Sequence, residues 1–104
     1  ILLLDEAAEY LDELDLLDQV TDEQAAKASI LVAEAKIYAN DAALHISEKL
    51  LELGGSRSSL SQLNLDQHWR NARVHTLHDP VRWKLHALGD YYLNHTFPAR
   101  HAWI

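Results

Sequence analysis

The segment from Asp22 to Leu53 contains neither proline nor glycine, the two residue types that most often interrupt a helix. Its alanine- and leucine-rich sequence therefore predicts one helix of about thirty residues, roughly 45 Å long at a rise of 1.5 Å per residue. The sequence TDEQ at residues 21–24 is typical of a helix start. The Thr21 side chain can accept a hydrogen bond from the backbone of the first turn, while the Gln24 side chain reaches back to the Thr21 backbone. A glycine pair after Leu53 is expected to end the helix. A helix of this length makes an antiparallel helical bundle the natural architecture.

Shorter helices are predicted on both sides of the long one. Near the N-terminus, apolar residues recur at helical spacing while acidic residues occupy the other face; the apolar set is Leu4, Ala7, Ala8, Leu11, Leu14 and Leu17. A third helix is expected to start near residues 64 and 65, with Trp69 as a core anchor. The pair Asp79-Pro80 is typical of an N-cap followed by proline in the first helical position, and predicts a fourth helix.

The remaining segments lack a helical pattern. Residues 54–64, GGSRSSLSQLN, predict a loop, and residues 94–104, NHTFPARHAWI, predict an irregular tail. No strand-like alternation is present, so the predicted fold is all-α, an antiparallel bundle of three to four helices in a single domain over residues 1–104. The long helix would keep surface that its shorter neighbours cannot cover, so we expect it to pack against identical subunits or a further domain.

The charges are distributed unevenly along the chain, whose net charge is −7. Residues 1–53 carry thirteen acidic and three basic side chains, whereas residues 54–104 carry six basic and three acidic ones. The acidic half argues against a nucleic-acid partner, since it would repel phosphates, but the basic half can bind a small anion. No apolar run approaches membrane-spanning length, so no membrane partner is expected. The absence of cysteine excludes thiolate catalysis and fits a cytoplasmic location.

Residues 68–80, HWRNARVHTLHDP, contain two arginines, three histidines and a tryptophan within thirteen positions. On a helix, Arg70 and Arg73 share a face, and Arg57 follows the two glycines of the loop. Together they predict a site for a phosphate or a carboxylate, which the glycines would let backbone N–H groups approach. The alternative is that Arg70 and Arg73 form ion pairs with carboxylates of the long helix.

Two histidines of the same stretch also share a helical face, His75 and His78. Two imidazoles do not make a metal site, and the nearest carboxylate, Asp79, is expected to cap a helix, so no metal is expected. His78 is better placed as a hydrogen-bonding or acid–base group at the corner between the third and fourth helices.

The chain resembles the C-terminal helical domain of the acyl-CoA dehydrogenase superfamily. Three segments in succession carry this resemblance: the long alanine-rich helix, LGGSRSSL and LDQHWRNARVHTLHDP. They are most similar to its flavin-dependent monooxygenase branch, which includes dibenzothiophene and sulfone monooxygenases. The resemblance covers about residues 20–95, while residues 1–19 match only by pattern. In this family the flavin pocket is built largely by N-terminal and middle domains. The resemblance therefore implies that the chain is the C-terminal part of a longer flavoenzyme.

The resemblance assigns cofactor-binding roles by position. Gly54 and Gly55 fall where the family has a Gly-Gly turn that touches the flavin of a neighbouring subunit. Arg70 and Arg73 fall on the family's R-D-A-R element, in which Asn71 replaces the usual aspartate. With Arg57, these glycines and arginines are the predicted cofactor-binding residues.

The catalytic residues implied by the resemblance are His78 and Asp79. Asp79 lies at the position of the dehydrogenase glutamate, but it is one methylene shorter and precedes Pro80, which favours capping over α-proton abstraction. His78 matches the histidine that faces flavin and substrate in the monooxygenase branch, where oxygen transfer needs a hydrogen-bond donor. His75 is the second candidate.

The resemblance also implies a cofactor and partners. The cofactor would be FMN, supplied in reduced form by a separate flavin reductase, or FAD; the partners would be identical subunits, as a homotetramer, and a small-molecule substrate. Two other functions stay open. One is an acyl-CoA dehydrogenase with Asp79 as its base, and the other is a non-catalytic helical oligomerisation module.

Overall fold

The computed structural model describes residues 1–100, and all of its regular secondary structure is helical. The elements are α1 (Leu2–Asp15), α2 (Asp22–Gly54), a 3₁₀ helix (Ser56–Ser59), α3 (Asp66–His78) and α4 (Val81–Asn94). No strand occurs in this range, which confirms the predicted all-α class. The last four residues of the predicted irregular tail lie outside the described range. Within it, no helix has the length and apolar character needed to cross a membrane.

The long helix α2 has 33 residues, which corresponds to roughly 50 Å. Its start confirms the predicted capping box. The Thr21 N–H donates to Gln24 Oε1 at 2.9 Å, and the Gln24 N–H donates to Thr21 Oγ1 at 3.2 Å. Asp22 and Glu23 in the first turn add a favourable interaction with the positive end of the helix dipole.

The chain divides into two compact units, one formed by residues 1–37 with 81–104 and the other by residues 38–80. Helix α2 contributes residues to both. Every buried apolar residue of the described range belongs to the first unit: Ala7, Leu14, Ala26, Ala28, Ile30, Leu31, Ala33 and Ile37. Half of them are alanines, which let helices approach closely. The single-domain assignment for residues 1–104 stays a prediction.

Side-chain contacts in the first unit join α1 and α4 to the first half of α2. Lys27 Nζ lies 4.3 Å from the ring centroid of Tyr10 in a cation–π contact. The Tyr92 hydroxyl donates to Glu34 Oε1 at 2.7 Å. These two contacts add to the apolar packing of the first unit.

The second unit is different, because the residues that it buries are polar: Asn40, Ser47, Ser58 and Thr76. The Ser47 and Thr76 hydroxyls donate to backbone carbonyls of their own helices, at 2.6 Å to Ala43 and 2.8 Å to Arg73. Trp69 keeps 40% of its surface exposed. The prediction of Trp69 as a core anchor is therefore wrong, because this unit buries no apolar side chain for an indole ring to join.

Large apolar side chains remain exposed along the second half of α2 and on α3. On α2 they are Tyr38, Ile46, Leu50 and Leu53, and on α3 they include Val74 and Leu77. The long helix thus keeps surface that its own chain does not cover, as its length predicted. Exposed apolar surface of this extent is typical of a face that packs against another protein surface.

Replacing Thr21 with alanine tests the capping box. The change removes the hydroxyl that accepts the Gln24 N–H, so we expect the free energy of unfolding to fall by about 1 kcal/mol. Denaturant unfolding of the purified protein measures the loss. Thr21→Ser keeps the hydroxyl and is the control; equal stability of Thr21→Ala and the unchanged protein would contradict the capping role.

The contact between Tyr92 and Glu34 predicts a pH dependence. The hydrogen bond to Glu34, with desolvation as a smaller cause, raises the pKa of Tyr92 from 10.0 to about 12. Because the folded-state pKa is the higher one, this contribution to stability is fully present below pH 10 and is lost as the pH rises towards 12. We expect unfolding experiments to show the decline across this window.

Absorbance titration of the tyrosinates tests the cause of the raised pKa. Glu34→Gln should bring the high-pH titration step back towards the ordinary value, and Tyr92→Phe should remove that step. A Glu34→Gln titration identical to that of the unchanged protein would show that Glu34 does not hold the Tyr92 proton.

Candidate functional site

The glycine pair ends α2 and opens the 3₁₀ helix. Gly55 has φ 70° and ψ −172°, a conformation that essentially only glycine adopts. The Gly55 N–H donates to the Glu52 carbonyl at 3.2 Å, and the Gly55 carbonyl accepts from the Ser58 N–H at 3.0 Å. The Gly55 N–H is therefore engaged inside the turn rather than offered to an anion.

The other glycine, Gly54, is required by close packing. A Cβ atom at this position would lie 2.7 Å from the Cβ of Ser58 and 3.2 Å from its hydroxyl oxygen. Ser58 is buried, whereas the residues on both sides of it are exposed. The turn therefore closes only when residue 54 has no side chain.

Arg57 lies on the 3₁₀ helix next to Ser58, and its side chain is exposed. The nearest carboxylate in the sequence, Glu52, forms an ion pair with Lys49. No ion pair involves Arg57 within residues 1–100. A guanidinium without a carboxylate partner is available to an anionic ligand.

Arg70 and Arg73 share an exposed face of α3 but differ in their partners. Arg70 Nε lies 3.3 Å from Asp66 Oδ2, one helical turn away, and Arg70 Nη2 donates to Asn64 Oδ1 at 3.1 Å. Asn64 has φ 48°, a left-handed conformation that asparagine tolerates better than most residues. In the described part of the chain, Arg73 has no ion pair.

Among residues 1–100, the structure does not show the alternative, ion pairs between these arginines and carboxylates of the long helix. The carboxylate that contacts Arg70 belongs to α3 itself, and neither Arg70 nor Arg73 pairs with α2 in the range that the structure covers. The two side chains of the Arg70–Asp66 pair are 59% and 56% exposed, so the pair contributes about 0–1 kcal/mol at most. Arg70 can therefore exchange Asp66 for a stronger anion at little cost.

His78 is the last residue of α3, and its side chain is exposed. Asp79 follows as the residue after the end of α3, in an extended conformation with φ −122° and ψ 90°. Helix α4 begins at Val81, one residue later than predicted, so the residue that directly precedes it is Pro80 rather than Asp79. Residues 1–100 contain no group of three or more histidine, aspartate or glutamate side chains that could hold a metal ion.

All the predicted site residues belong to the unit of residues 38–80. They form two groups: Gly54, Gly55 and Arg57 around the 3₁₀ helix, and Arg70, Arg73, His78 and Asp79 on or just after α3. No hydrogen bond or ion pair joins these groups among the residues described. Their roles stay predictions.

Two residues of the site were not predicted from the sequence, Ser58 and Asn64. Ser58 fills the space above Gly54, and Asn64 contacts Arg70. The available signals were a serine four residues after the first glycine and an asparagine ending the loop before a helix, since asparagine is frequent at left-handed positions.

Substitution by alanine is expected to change folding stability in opposite directions at different glycines of the chain. Gly54→Ala forces a Cβ against Ser58, and Gly55→Ala enforces a strained backbone; we expect each to cost about 1–3 kcal/mol of folding stability. Gly89→Ala in α4 meets open space and should instead stabilise the protein by up to about 1 kcal/mol. Denaturant unfolding of all three variants makes the comparison, and destabilisation by Gly89→Ala would contradict it.

Comparison with known proteins adds to this geometry, although no family model matches the sequence. The chain is 36% identical over 99 residues to the probable FMNH2-dependent monooxygenase SfnC of Pseudomonas putida, covering 94% of this chain and 25% of the relative. It is 35% identical over 94 residues to the dibenzothiophene monooxygenase of Mycolicibacterium goodii, covering 89% and 23%. The FMN-bound TdsC of Paenibacillus sp. A11-2 superimposes with a TM-score of 0.85 at 38% identity, covering 95% and 25%.

The chain thus spans about a quarter of the length of the relatives it matches. Within that quarter, sequence and helical structure agree over nearly the whole chain. The predicted resemblance is confirmed: over nearly its whole length the chain is similar to one part of the FMN-dependent monooxygenases of this branch, and it shares their all-helical structure there.

Proposed function

We propose that this chain is the C-terminal helical part of an FMN-dependent monooxygenase, in which it contributes cofactor contacts and subunit interfaces. The observation that carries the proposal is the pair of exposed guanidiniums, Arg57 and Arg73, without carboxylate partners in the described range of an acidic chain. Such groups suit a ligand with a phosphate.

FMN fits this set of donors, because its monophosphate is a compact dianion. A relative is named FMNH2-dependent, and another was solved with FMN bound. Arg57 and Arg73 would hold the phosphate, Arg70 would join them by exchanging Asp66, and the Gly54–Gly55 turn would let the cofactor approach the backbone. FAD stays the alternative, since its pyrophosphate would satisfy the same arginines.

Bound reduced FMN would supply the electrons for the activation of dioxygen. The contribution of His78 would be a hydrogen-bond donor that holds a proton at its imidazole nitrogen next to the reacting oxygen. Its position at the exposed end of α3 leaves the imidazole accessible to a bound molecule. Asp79 would fix the corner after His78 through its extended backbone conformation.

The proposed partners are identical subunits, in a homotetramer, together with a small-molecule substrate and a flavin reductase that acts only by supplying reduced FMN. Support for subunit contacts comes from the apolar side chains exposed on α2 and α3, which include Ile46, Leu53 and Val74. The cysteine-free sequence is compatible with a cytoplasmic location. No nucleic-acid or membrane partner is part of the proposal.

The same exposed apolar side chains favour a second function, a helical oligomerisation module without a catalytic role. In that case the arginines would form only exchangeable surface ion pairs, as Arg70 does with Asp66. The two functions differ in whether a change at His78 affects turnover.

The test uses the full-length protein and compares His78→Ala with Asp79→Asn. His78→Ala should lower the oxygenation rate about 10²–10⁴-fold while leaving FMN affinity nearly unchanged, because a positioned donor acts mainly in the reaction. Asp79→Asn keeps the ability to cap and should change the rate only modestly. His45→Ala, an exposed histidine of α2, is the matched control.

Two outcomes would contradict the proposal. If Asp79→Asn abolishes turnover while His78→Ala is nearly silent, Asp79 is a base and the protein is an acyl-CoA dehydrogenase. If neither change alters turnover relative to His45→Ala, this corner has no catalytic role, as the oligomerisation module requires.

A further inference from the structure

Ser58 is a buried hydroxyl-bearing residue in an otherwise exposed turn, with 4% of its surface accessible. Its Oγ lies 2.7 Å from the Leu51 carbonyl oxygen and 2.6 Å from the Gly55 carbonyl oxygen. Its backbone N–H also donates to Gly55 at 3.0 Å. Three hydrogen-bond contacts of one buried serine indicate that Ser58 has a specific structural role in this turn.

The contact with Leu51 replaces a hydrogen bond that α2 has lost. In a continuing helix, the Leu51 carbonyl would accept from the N–H of Gly55, four residues later. That N–H donates to Glu52 instead, at 3.2 Å, so the Leu51 carbonyl is left to another donor. The Ser58 hydroxyl lies within hydrogen-bond distance of both this carbonyl and that of Gly55, so its one proton can be donated to Leu51 across seven residues and connect the last turn of α2 to the 3₁₀ helix.

The same connection determines where Arg57 lies. Arg57 precedes Ser58 on the 3₁₀ helix, and its carbonyl accepts from the Leu60 N–H at 3.2 Å. With Ser58 held to α2 on one side and Leu60 bonded on the other, the Arg57 backbone is fixed relative to the end of α2. Gly54 allows this arrangement, because any Cβ there would displace Ser58.

We propose that Ser58 is a positioning residue, whose hydroxyl holds Arg57 at the end of α2 in the orientation in which its guanidinium binds the phosphate of FMN. The inference rests on the proposed function, in which Arg57 contacts that phosphate. Ser58 itself touches no ligand. Without its hydroxyl, the turn would have to be ordered when the cofactor binds, and that ordering would weaken binding.

The experiment measures the dissociation constant of FMN for the full-length protein by fluorescence titration. Arg57→Ala should weaken binding about 10- to 100-fold, as expected for a lost charge-assisted hydrogen bond. Ser58→Ala should weaken it about tenfold, and Ser58→Thr, which keeps the hydroxyl, should bind more tightly than Ser58→Ala. Ser59→Ala, whose exposed hydroxyl only contacts Ser56, is the matched control and should stay within about twofold.

The double variant Arg57→Ala/Ser58→Ala separates positioning from general stability. If Ser58 acts through Arg57, the double variant binds FMN no more weakly than Arg57→Ala alone. Fully additive losses would mean that Ser58 affects the fold at large, and they would overturn the inference. Ser58→Ala binding like Ser59→Ala, while Arg57→Ala is weak, would also overturn it but leave the proposed FMN site standing.

Two further outcomes complete the test. If Arg57→Ala binds FMN normally, the proposed phosphate contact fails, and the role of Ser58 fails with it. If Ser58→Ala is not recovered folded, Ser58→Cys takes its place, because a thiol is a much weaker donor to the Leu51 carbonyl than the hydroxyl is. Weakened FMN binding by Ser58→Cys supports the inference, and unchanged binding overturns it.

Discussion

Helix α2 runs without interruption from Asp22 to Gly54, and the rest of the chain depends on how its two ends are satisfied. Each end of a helix leaves four backbone groups without a helical partner. At the start, the side chains of Thr21 and Gln24 satisfy two of them reciprocally. At the other end, the Ser58 hydroxyl is placed to donate a hydrogen bond to the Leu51 carbonyl. The first solution only starts a helix, whereas the second also turns the chain and places Arg57 beside the helix end.

The two halves of α2 are stabilised by different physical forces. Up to Ile37 the helix buries alanine, leucine and isoleucine side chains, so removal of apolar surface from water stabilises that part. Beyond Ile37 the buried side chains are Asn40 and Ser47, and apolar ones such as Ile46 and Leu53 are exposed. Hydroxyl–carbonyl hydrogen bonds contribute only about 1 kcal/mol each, so this half gains more from a covering surface than the first. The predicted site residues lie in the unit that contains this second half.

The sequence was sufficient for features that depend on local chemistry. The helix class, the capping box at Thr21 and the end of α2 at the glycines follow from intrinsic propensities and from hydrogen bonds between near neighbours. The sequence also indicated that α2 would leave surface uncovered, because its length exceeds that of any other predicted helix. The helix class, the capping box and the helix end are determined within a few residues of where they occur.

The features that could not be predicted depend on which surfaces meet. Trp69 was expected in a core, but a large apolar side chain is buried only where neighbours provide an apolar surface, and helical periodicity does not reveal that. The carboxylate partner of Arg70 is Asp66, one turn away, rather than a residue of α2. The role of Ser58 cannot be predicted from the sequence, because its hydrogen bond spans seven residues and follows a turn in which Gly55 has a left-handed φ. A serine in a loop gives no sequence signal of such a bond.

The acidic composition of the chain does not determine the partners of its three site arginines. The chain has sixteen carboxylates and nine lysines and arginines, so pairing every guanidinium would have been easy. Yet in the described range Arg57 and Arg73 have no carboxylate, and Arg70 has only an exposed one within its own helix. Thirteen of the carboxylates precede residue 54, so few acidic groups follow the glycine turn in the sequence. Under the proposed function, a phosphate bound by these arginines would displace one weak ion pair and would meet two positive charges without carboxylate partners, so little existing pairing would have to be broken.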